Sequence, residues 1–302
     1  SFYGQTLPLL KRGVPVELVH MENTPFQQTF KGLQVLVMSY SNMKPMKPEY
    51  HNYLAAWVKQ GGVLLYCGED VDPYQTVLEW WNSDGNTYKA PSEHLFEKMG
   101  LARVPTAGIY RFGKGKVIVM REDPKQFVLQ GGNDRTYFET IASAYREKTG
   151  KEIETKNSFV VERGPYTIAA VMDEGVSQES LSLSGLYIDL FDKDLPVLTV
   201  KQVNPGEQSY LYDLRKLSGN VKAKVLCGAS RIYEEKVSKR NYSFVAKSPL
   251  NTTNVSRVLL PQQPVKILVN GQTEKGMWDE RSKTLLLSFE NQPDGVNVSI
   301  EW

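Results

Sequence analysis

The sequence predicts an α/β half followed by an all-β half, and three observations carry that reading. Up to about residue 150, short apolar runs alternate with amphipathic stretches that end in glycine, the pattern of a doubly wound, mostly parallel sheet. Beyond that point the amphipathic stretches stop, and short β-type runs are separated by Asn-Pro-Gly, Asn-Gly and Pro-Asp-Gly turns. At 302 residues the chain also exceeds what one hydrophobic core commonly serves, so two or three domains are expected.

Taken in order, residues 2–12 (FYGQTLPLLKR) read as a helix stopped by Gly13, and VPVELVHM (14–21) as a strand. LQVLVMSY (33–40) is apolar throughout, as a parallel strand buried on both faces should be. KPEYHNYLAAWVKQGG (47–62) predicts an amphipathic helix, with Pro48 near its first turn, Tyr50, Leu54, Trp57 and Val58 on one face, and a glycine stop. VLLYC (63–67) is the next buried strand. DPYQTVLEWWN (72–82) and APSEHLFEKMG (90–100) read as helices, the second with Ser92 as N-cap. GIYRFGKGKVIVM (108–120) predicts a hairpin turning at Gly113, Lys114 and Gly115, and DRTYFETIASAYREKTG (134–150) a closing helix. SFVVERG, YTIAAVMDE, LYIDLFD, LPVLTVKQV and QSYLYDL then read as strands, as do VKAKVLCGA, YSFVAK, VSRVLLP, PVKILVNG, TLLLSFEN and VNVSIEW. LRKLSGN interrupts them, so the expected domains are an α/β domain over 1–150, a β-sandwich over 151–220 and a second over 221–302.

Composition removes several function classes. The net charge of +2 offers no electrostatic case for nucleic acid or an anionic membrane as partner. No apolar run approaches the roughly 18 residues of a membrane span. Cys67 and Cys227 fall in different expected domains, so two free thiols are expected rather than a disulfide framework. The three histidines show no metal-ligand spacing. Gly113-Lys114-Gly115 is a turn, and Gly131-Gly132-Asn133 precedes a helix without a phosphate-binding pattern. No cofactor is expected.

FYGQTLPLLKRGVPVELVHME, followed by LQVLVMSYSNMKPMKPEYHNYLAAWVKQGGVLLYCGE, is similar to the trimerisation domain of family 42 β-galactosidases. The shared pattern is a helix ending before Gly-Val-Pro-Val, an apolar strand, a helix ending in Val-x-x-Gly-Gly and a further apolar strand; it covers residues 2–70 well and 71–145 loosely. The resemblance implies the fold of a class I glutamine amidotransferase (amidotransferase-like, flavodoxin-like). GPYTIAAVMDE, LYIDLFDKDLPVLTVKQVNPGEQSYLYDL and WDERSKTLLLSFENQPDGVNVSIEW resemble the β-sandwich domains that close large bacterial glycosidases. Together they imply the C-terminal region of a bacterial glycoside hydrolase, with its catalytic barrel upstream as partner, and possible homo-oligomers. A periplasmic or extracellular parent is the expectation; the chain itself leaves its compartment unknown. The family's α/β domain opens with a strand ahead of the helix matching 2–12. Residues upstream of Ser1 in the parent are therefore expected to supply a strand, and 14–21 and 33–40 are not expected to pair directly.

Amidotransferases of this fold carry a nucleophilic cysteine on a Gly-x-Cys-x-Gly elbow, with a later histidine and glutamate. Cys67 stands in Leu-Tyr-Cys-Gly-Glu, one strand too early in that order. His20 and His51 precede it, and His94 lies within a helix, so Cys67 is expected to be a buried, inert thiol. An amidotransferase-like hydrolase is the disfavoured alternative.

Active loops in parallel sheets lie at the C-terminal strand ends. Here those ends are HMEN (20–23), SYSN (39–42) and GEDVD (68–72), which should form one rim with Ser39, Ser41, Asn42, Glu69, Asp70 and Asp72, and Glu22 within approach. Solvated acidic loops are the plainer reading and a small-ligand site the sharper one. Trp80 and Trp81, with Tyr74 and Tyr88, offer a possible carbohydrate-stacking platform, although adjacent helical positions point about 100° apart and one indole should be core. The reading favoured is a non-catalytic region that organises or oligomerises an upstream barrel in carbohydrate degradation. The alternative is a carbohydrate-binding module acting through exposed aromatics.

Overall fold

The most apolar runs of the first half become neighbouring parallel strands, because only a strand covered on both faces buries every residue of such a run. The computed structural model describes residues 2–41, 43–130, 133–217 and 222–302. The chain divides into two compact units, Ser1–Lys156 and Asn157–Trp302.

In the first unit, β1 (Val35–Met38), β2 (Val63–Cys67) and β4 (Gly115–Met120) run parallel, and β3 (Gly108–Phe112) folds back antiparallel onto β4 in the order β1-β2-β4-β3. The helices are α1 (Phe2–Leu10), α2 (Glu49–Lys59), α3 (Pro91–Lys98), α4 (Gln126–Leu129) and α5 (Asp134–Thr149). Strand alternation splits β2 between two cores. Leu64 and Tyr66 meet Leu54, Val58, Leu95 and Phe96 from α2 and α3. Val63, Leu65 and Cys67 meet Leu9, Phe127, Tyr137 and Ile141 from α1, α4 and α5. Gly115 lets the hairpin press on the end of α2: a Cβ there would stand 2.0 Å from the Val58 carbonyl oxygen and 2.2 Å from that of Gly62.

Three local expectations are corrected. Residues 14–20 belong to no helix or strand, since no ladder partner lies beside them among the described residues. Residues 72–82 are not a helix; only the 3-10 turn Pro73–Thr76 forms. Side chains compete for the backbone there: Asp72 accepts from the Tyr74 N–H, Asn82 bonds the Glu79 N–H and the Val77 carbonyl, and Asn86 donates to the Trp80 carbonyl. Ser92 is not an N-cap: α3 starts at Pro91 with Ala90 in the cap position, and the Ser92 hydroxyl is drawn to Asp70 instead.

The second unit is all-β. β5 (Ser158–Arg163), β6 (Tyr166–Val171), β7 (Leu181–Asp189), β8 (Val197–Val203) and β9 (Gln208–Asp213) form one antiparallel sheet in the order β5-β6-β9-β7-β8. Ser218–Val221, where the boundary near 220 was expected, lie outside the described residues. The remaining strands are β10 (Lys224–Gly228), β11 (Arg231–Val237), β12 (Asn241–Lys247), β13 (Thr253–Leu259), β14 (Lys266–Val269), β15 (Gln272–Thr273), β16 (Met277–Asp279), β17 (Thr284–Glu290) and β18 (Val296–Glu301). They make two sheets, β10-β13-β17-β16 and β11-β12-β18-β14-β15. These sheets share a core to which Val258, Leu285 and Leu287 come from one and Tyr242, Phe244, Val298 and Ile300 from the other, which is a β-sandwich. Leu286, one residue out of phase, turns to the opposite face, where Val255, Leu226 and Cys227 pack on Ile188, Tyr212 and Leu214. The sheet of β5–β9 therefore buries part of one face against the sandwich, as a third layer.

Candidate functional site

The loops leaving β1 and β2 are joined at the expected rim, and its two aspartates, Asp70 and Asp72, are tied down. Asp70, in the left-handed region at φ 59°, accepts from the Tyr66 hydroxyl on one oxygen. Its other oxygen accepts from the Ser92 hydroxyl at 2.8 Å and from Arg121 Nη1 at 2.8 Å. Arg121 also bonds the carbonyls of Gly68 and Pro105, so it spans from the end of β4 to the β2 loop. Asp72 accepts from Lys44 Nζ at 2.6 Å, from Gln75 Nε2 at 2.8 Å and from the Tyr74 N–H at 3.0 Å. Lys44 also donates to the Tyr40 carbonyl, closing the β1 loop onto the β2 loop.

Beneath this rim lies a polar chain that the sequence reading missed. The Tyr40 hydroxyl stands 2.6 Å from His51 Nε2, and His51 Nδ1 stands 2.8 Å from His94 Nδ1. Trp80 sets its ring against both imidazoles, with centroids 5.7 and 5.2 Å away. Two imidazole nitrogens at hydrogen-bond distance need one proton between them, so at least one ring is neutral. Burial, then His94 and Lys98, pushes His51 down to about 3; burial first and Lys98 second also lower His94. Burial and then Asp70 push the Tyr40 and Tyr66 hydroxyls well above their usual range. The signal for His51 was present: it shares a helical face with Leu54, Ala55 and Val58, the spacing of a buried position.

The other expected residues are placed as follows. Ser39 is half-buried and accepts from the Ser41 N–H at 3.0 Å. Asn42 lies outside the described residues, as do Gly131 and Gly132. Glu69 points to solvent, and Glu22 is exposed in the turn Met21–Asn23. Trp81 is 2% exposed and donates its indole N–H to the Gln75 carbonyl; Trp80 is half-buried and donates to the Pro45 carbonyl. The two indoles meet edge to face at 89°, so one is core and the other packs across it. Tyr74 is exposed, and Tyr88 bonds Glu97.

Cys67 is fully buried. It lies on the face of β2 opposite Tyr66, in the cluster that contains Ile118, Met120 and Phe127. The histidine pair therefore sits across the sheet from it. Burial, and secondarily Glu122, pushes its thiol far above the thiolate range. Among the described residues no group of three or more His, Cys, Asp or Glu could hold a metal ion, and no helix is long and apolar enough to cross a membrane.

No family model matches the chain, and no curated protein matches it. Solved structures that it resembles are glycoside hydrolases. Gan42B, a GH42 β-galactosidase, aligns at TM-score 0.36 and 13% identity over 69% of this chain and 35% of that one. The Flavobacterium johnsoniae GH31 dextranase FjDex31A, complexed with glucose, aligns at TM-score 0.28 and 9% identity over 86% of this chain and 38% of that one. The same dextranase, as a mutant with isomaltotriose, aligns at TM-score 0.28 and 10% identity. The chain spans little more than a third of these proteins, and likeness at such TM-scores carries no inference about fold or activity.

Proposed function

We propose that the chain is a non-catalytic region of a glycoside hydrolase, in which an amidotransferase-like α/β unit and β-sandwich layers organise or oligomerise a catalytic barrel of the same parent. The glycosidase parent rests on the sequence resemblance quoted above. The observation that favours a structural role is the use made of the rim carboxylates. Glycoside hydrolysis needs a pair of carboxyl groups free to exchange protons or attack. Here Asp70 and Asp72 each bind a cation and two further donors, so their oxygens are spent on joining loops. Cys67, in turn, has neither exposure nor a histidine beside it, which nucleophilic use requires.

The test is an assay of the purified chain with aryl β-galactosides, together with tryptophan fluorescence against a panel of soluble oligosaccharides and a mass measurement by light scattering. No turnover and no saturable fluorescence shift are expected, with a mass above that of one chain. Turnover that disappears in Glu69→Ala or Asp72→Ala would refute the non-catalytic reading. A saturable shift lost in Trp80→Ala would establish carbohydrate binding instead.

A further inference from the structure

Every ring lone pair in the buried histidine pair is already bonded, so the pair has no free place for another proton. The Tyr40 hydroxyl is buried and has no acceptor among the described residues other than His51 Nε2, so it donates there. That bond leaves the proton of His51 on Nδ1, from which it is donated to His94 Nδ1. His94 therefore carries its own proton on Nε2. A further proton can enter only at His51 Nε2, where the Tyr40 proton points, or at His94 Nδ1, where the His51 proton points. Either way two protons face each other across 2.6 or 2.8 Å, and a hydrogen bond must break.

We propose that His51 and His94 form a proton-operated latch between α2 and α3, closed while both rings are neutral and released when both are protonated. What the latch holds follows from its neighbours. Trp80 lies against both imidazoles and donates its indole N–H to the Pro45 carbonyl of the β1 loop. Tyr88 lies edge-on to His94 at 5.3 Å, and α3 also carries Ser92, a donor to Asp70. Release of His94 therefore loosens α3, the Trp80 indole and the loops above them together. The charged and titratable groups around the pair do not relieve it. Tyr40 faces it from the end of β1, Tyr66 and Asp70 from β2 and its loop, and Glu93, Glu97 and Lys98 from α3. Asp70 is taken by Tyr66, Ser92 and Arg121, Glu93 by the Lys89 N–H, and Glu97 by Tyr88 and Arg103. Among the described residues no carboxylate bonds either imidazole, and Lys98 opposes positive charge on both. Burial acts in the same direction, holding His51 down to about 3 and lowering His94. Below the ordinary histidine value near 6.5, the open form takes up two protons that the closed form refuses. Its population should therefore rise by up to about 100-fold per pH unit, about tenfold for each proton.

The latch is independent of the glycosidase reading, since neither turnover nor mass depends on these rings. The test follows the 302-residue chain from about pH 7.5 to about pH 4 by histidine nitrogen NMR and by amide exchange. At the upper pH the ring nitrogens should show Nδ1–H on His51 and Nε2–H on His94. On acidification both rings should protonate together, and amide exchange in residues 91–98 should quicken in step while residues 63–67 stay protected. His94→Gln keeps an acceptor for the His51 Nδ1–H but takes up no proton, so opening should steepen by only about tenfold per pH unit. Tyr40→Phe frees the lone pair of His51 Nε2, so a first proton should enter at higher pH than in the parent, without faster exchange in 91–98. The opposite tautomers would overturn the proposal. Protonation of both rings with unchanged exchange in 91–98 would overturn it too, leaving the pair a packing contact only. Opening as steep in His94→Gln as in the parent would assign the transition to carboxylates such as Asp70, and a first proton entering Tyr40→Phe no earlier would remove Tyr40 as the donor; either result refutes the latch. The tautomer and exchange measurements need no variant, so they decide the matter even where a substitution fails to fold.

Discussion

Removing the Asp70 carboxylate should open the loop network of the α/β unit at a cost that can be worked from its partners. In Asp70→Ala, the hydroxyls of Tyr66, which is fully buried, and Ser92, 2% exposed, lose their acceptor. Each buried donor left unpaired costs about 1–3 kcal/mol. Arg121 loses its ion partner but keeps the Gly68 and Pro105 carbonyls and stays partly hydrated, so it adds little. Position 70 also sits at φ 59°, where alanine is worse than aspartate and glycine is at ease. The total for alanine is about 4 kcal/mol, that for Asp70→Gly about 1 kcal/mol less, and that for Asp70→Asn, which keeps an acceptor and tolerates the left-handed region, about 1–2 kcal/mol. The assay is pulsed thiol labelling across a urea series with mass-spectrometric readout. Cys67 is 0% exposed and reports opening of the α/β unit, while Cys227 reports the β unit. Separate reporters matter because two units need not unfold as one. The Cys67 transition should shift in the order Asn, Gly, Ala, with Cys227 unmoved. An alanine variant within about 1 kcal/mol of the parent would show that the network is not what holds these loops.

Acidification gives a second test through His51. Its pKa is about 3 when folded, below the usual 6.5, so the unfolded chain takes up a proton that the folded chain refuses as pH falls from about 6.5 toward 3. Stability of the α/β unit should therefore be full above that window and fall within it, by up to about 1.4 kcal/mol per pH unit for this group, and His51→Gln should flatten the slope. An unchanged slope would refute the burial argument. Gly115→Ala should destabilise the same unit by about 2 kcal/mol or more, because the new Cβ meets two backbone oxygens rather than a yielding side chain; a neutral result by the same labelling assay would mean that α2 and the hairpin can separate cheaply.

How much of the site was legible depended on whether the chemistry was local. The rim was legible because strand ends follow from strands, and β2 was unmistakable: five apolar residues after a double glycine, buried at every position. Asp70 and Asp72 could be placed there from sequence, but not the use made of them, since their partners Ser92, Arg121 and Lys44 lie between 22 and 51 residues away. The histidine pair was hidden by separation in the chain: His51 and His94 lie 43 residues apart, so only the packing of α2 beside α3 joins them. The 72–82 region was misread for a different reason. Its apolar residues suit a helix, but Asp72, Asn82 and Asn86 each offer the backbone a competing bond, and the polar side chains won.

The segment 14–21 separates propensity from partnership. Val-Pro-Val-Glu-Leu-Val is β-prone, yet it belongs to no strand. A strand, however, is a relation between two backbones. The ladder bonds that would make this segment one require a neighbour, and β1 is not bonded to it. The same absence explains why β1, whose composition calls for burial on all sides, stays half-buried, and why its half-burial coincides with the exposure of Val16 and Leu18. Three departures from expectation thus share one cause, a gap of about 680 Å3 where a sheet would continue. If that cause is correct, a short synthetic apolar peptide that lays a strand into the gap should correct all three together: protection of the β1 amides, burial of Val16 and Leu18, and a raised unfolding midpoint should appear at the same peptide concentration. Effects that titrate apart would mean that they are separate accidents of this sheet edge.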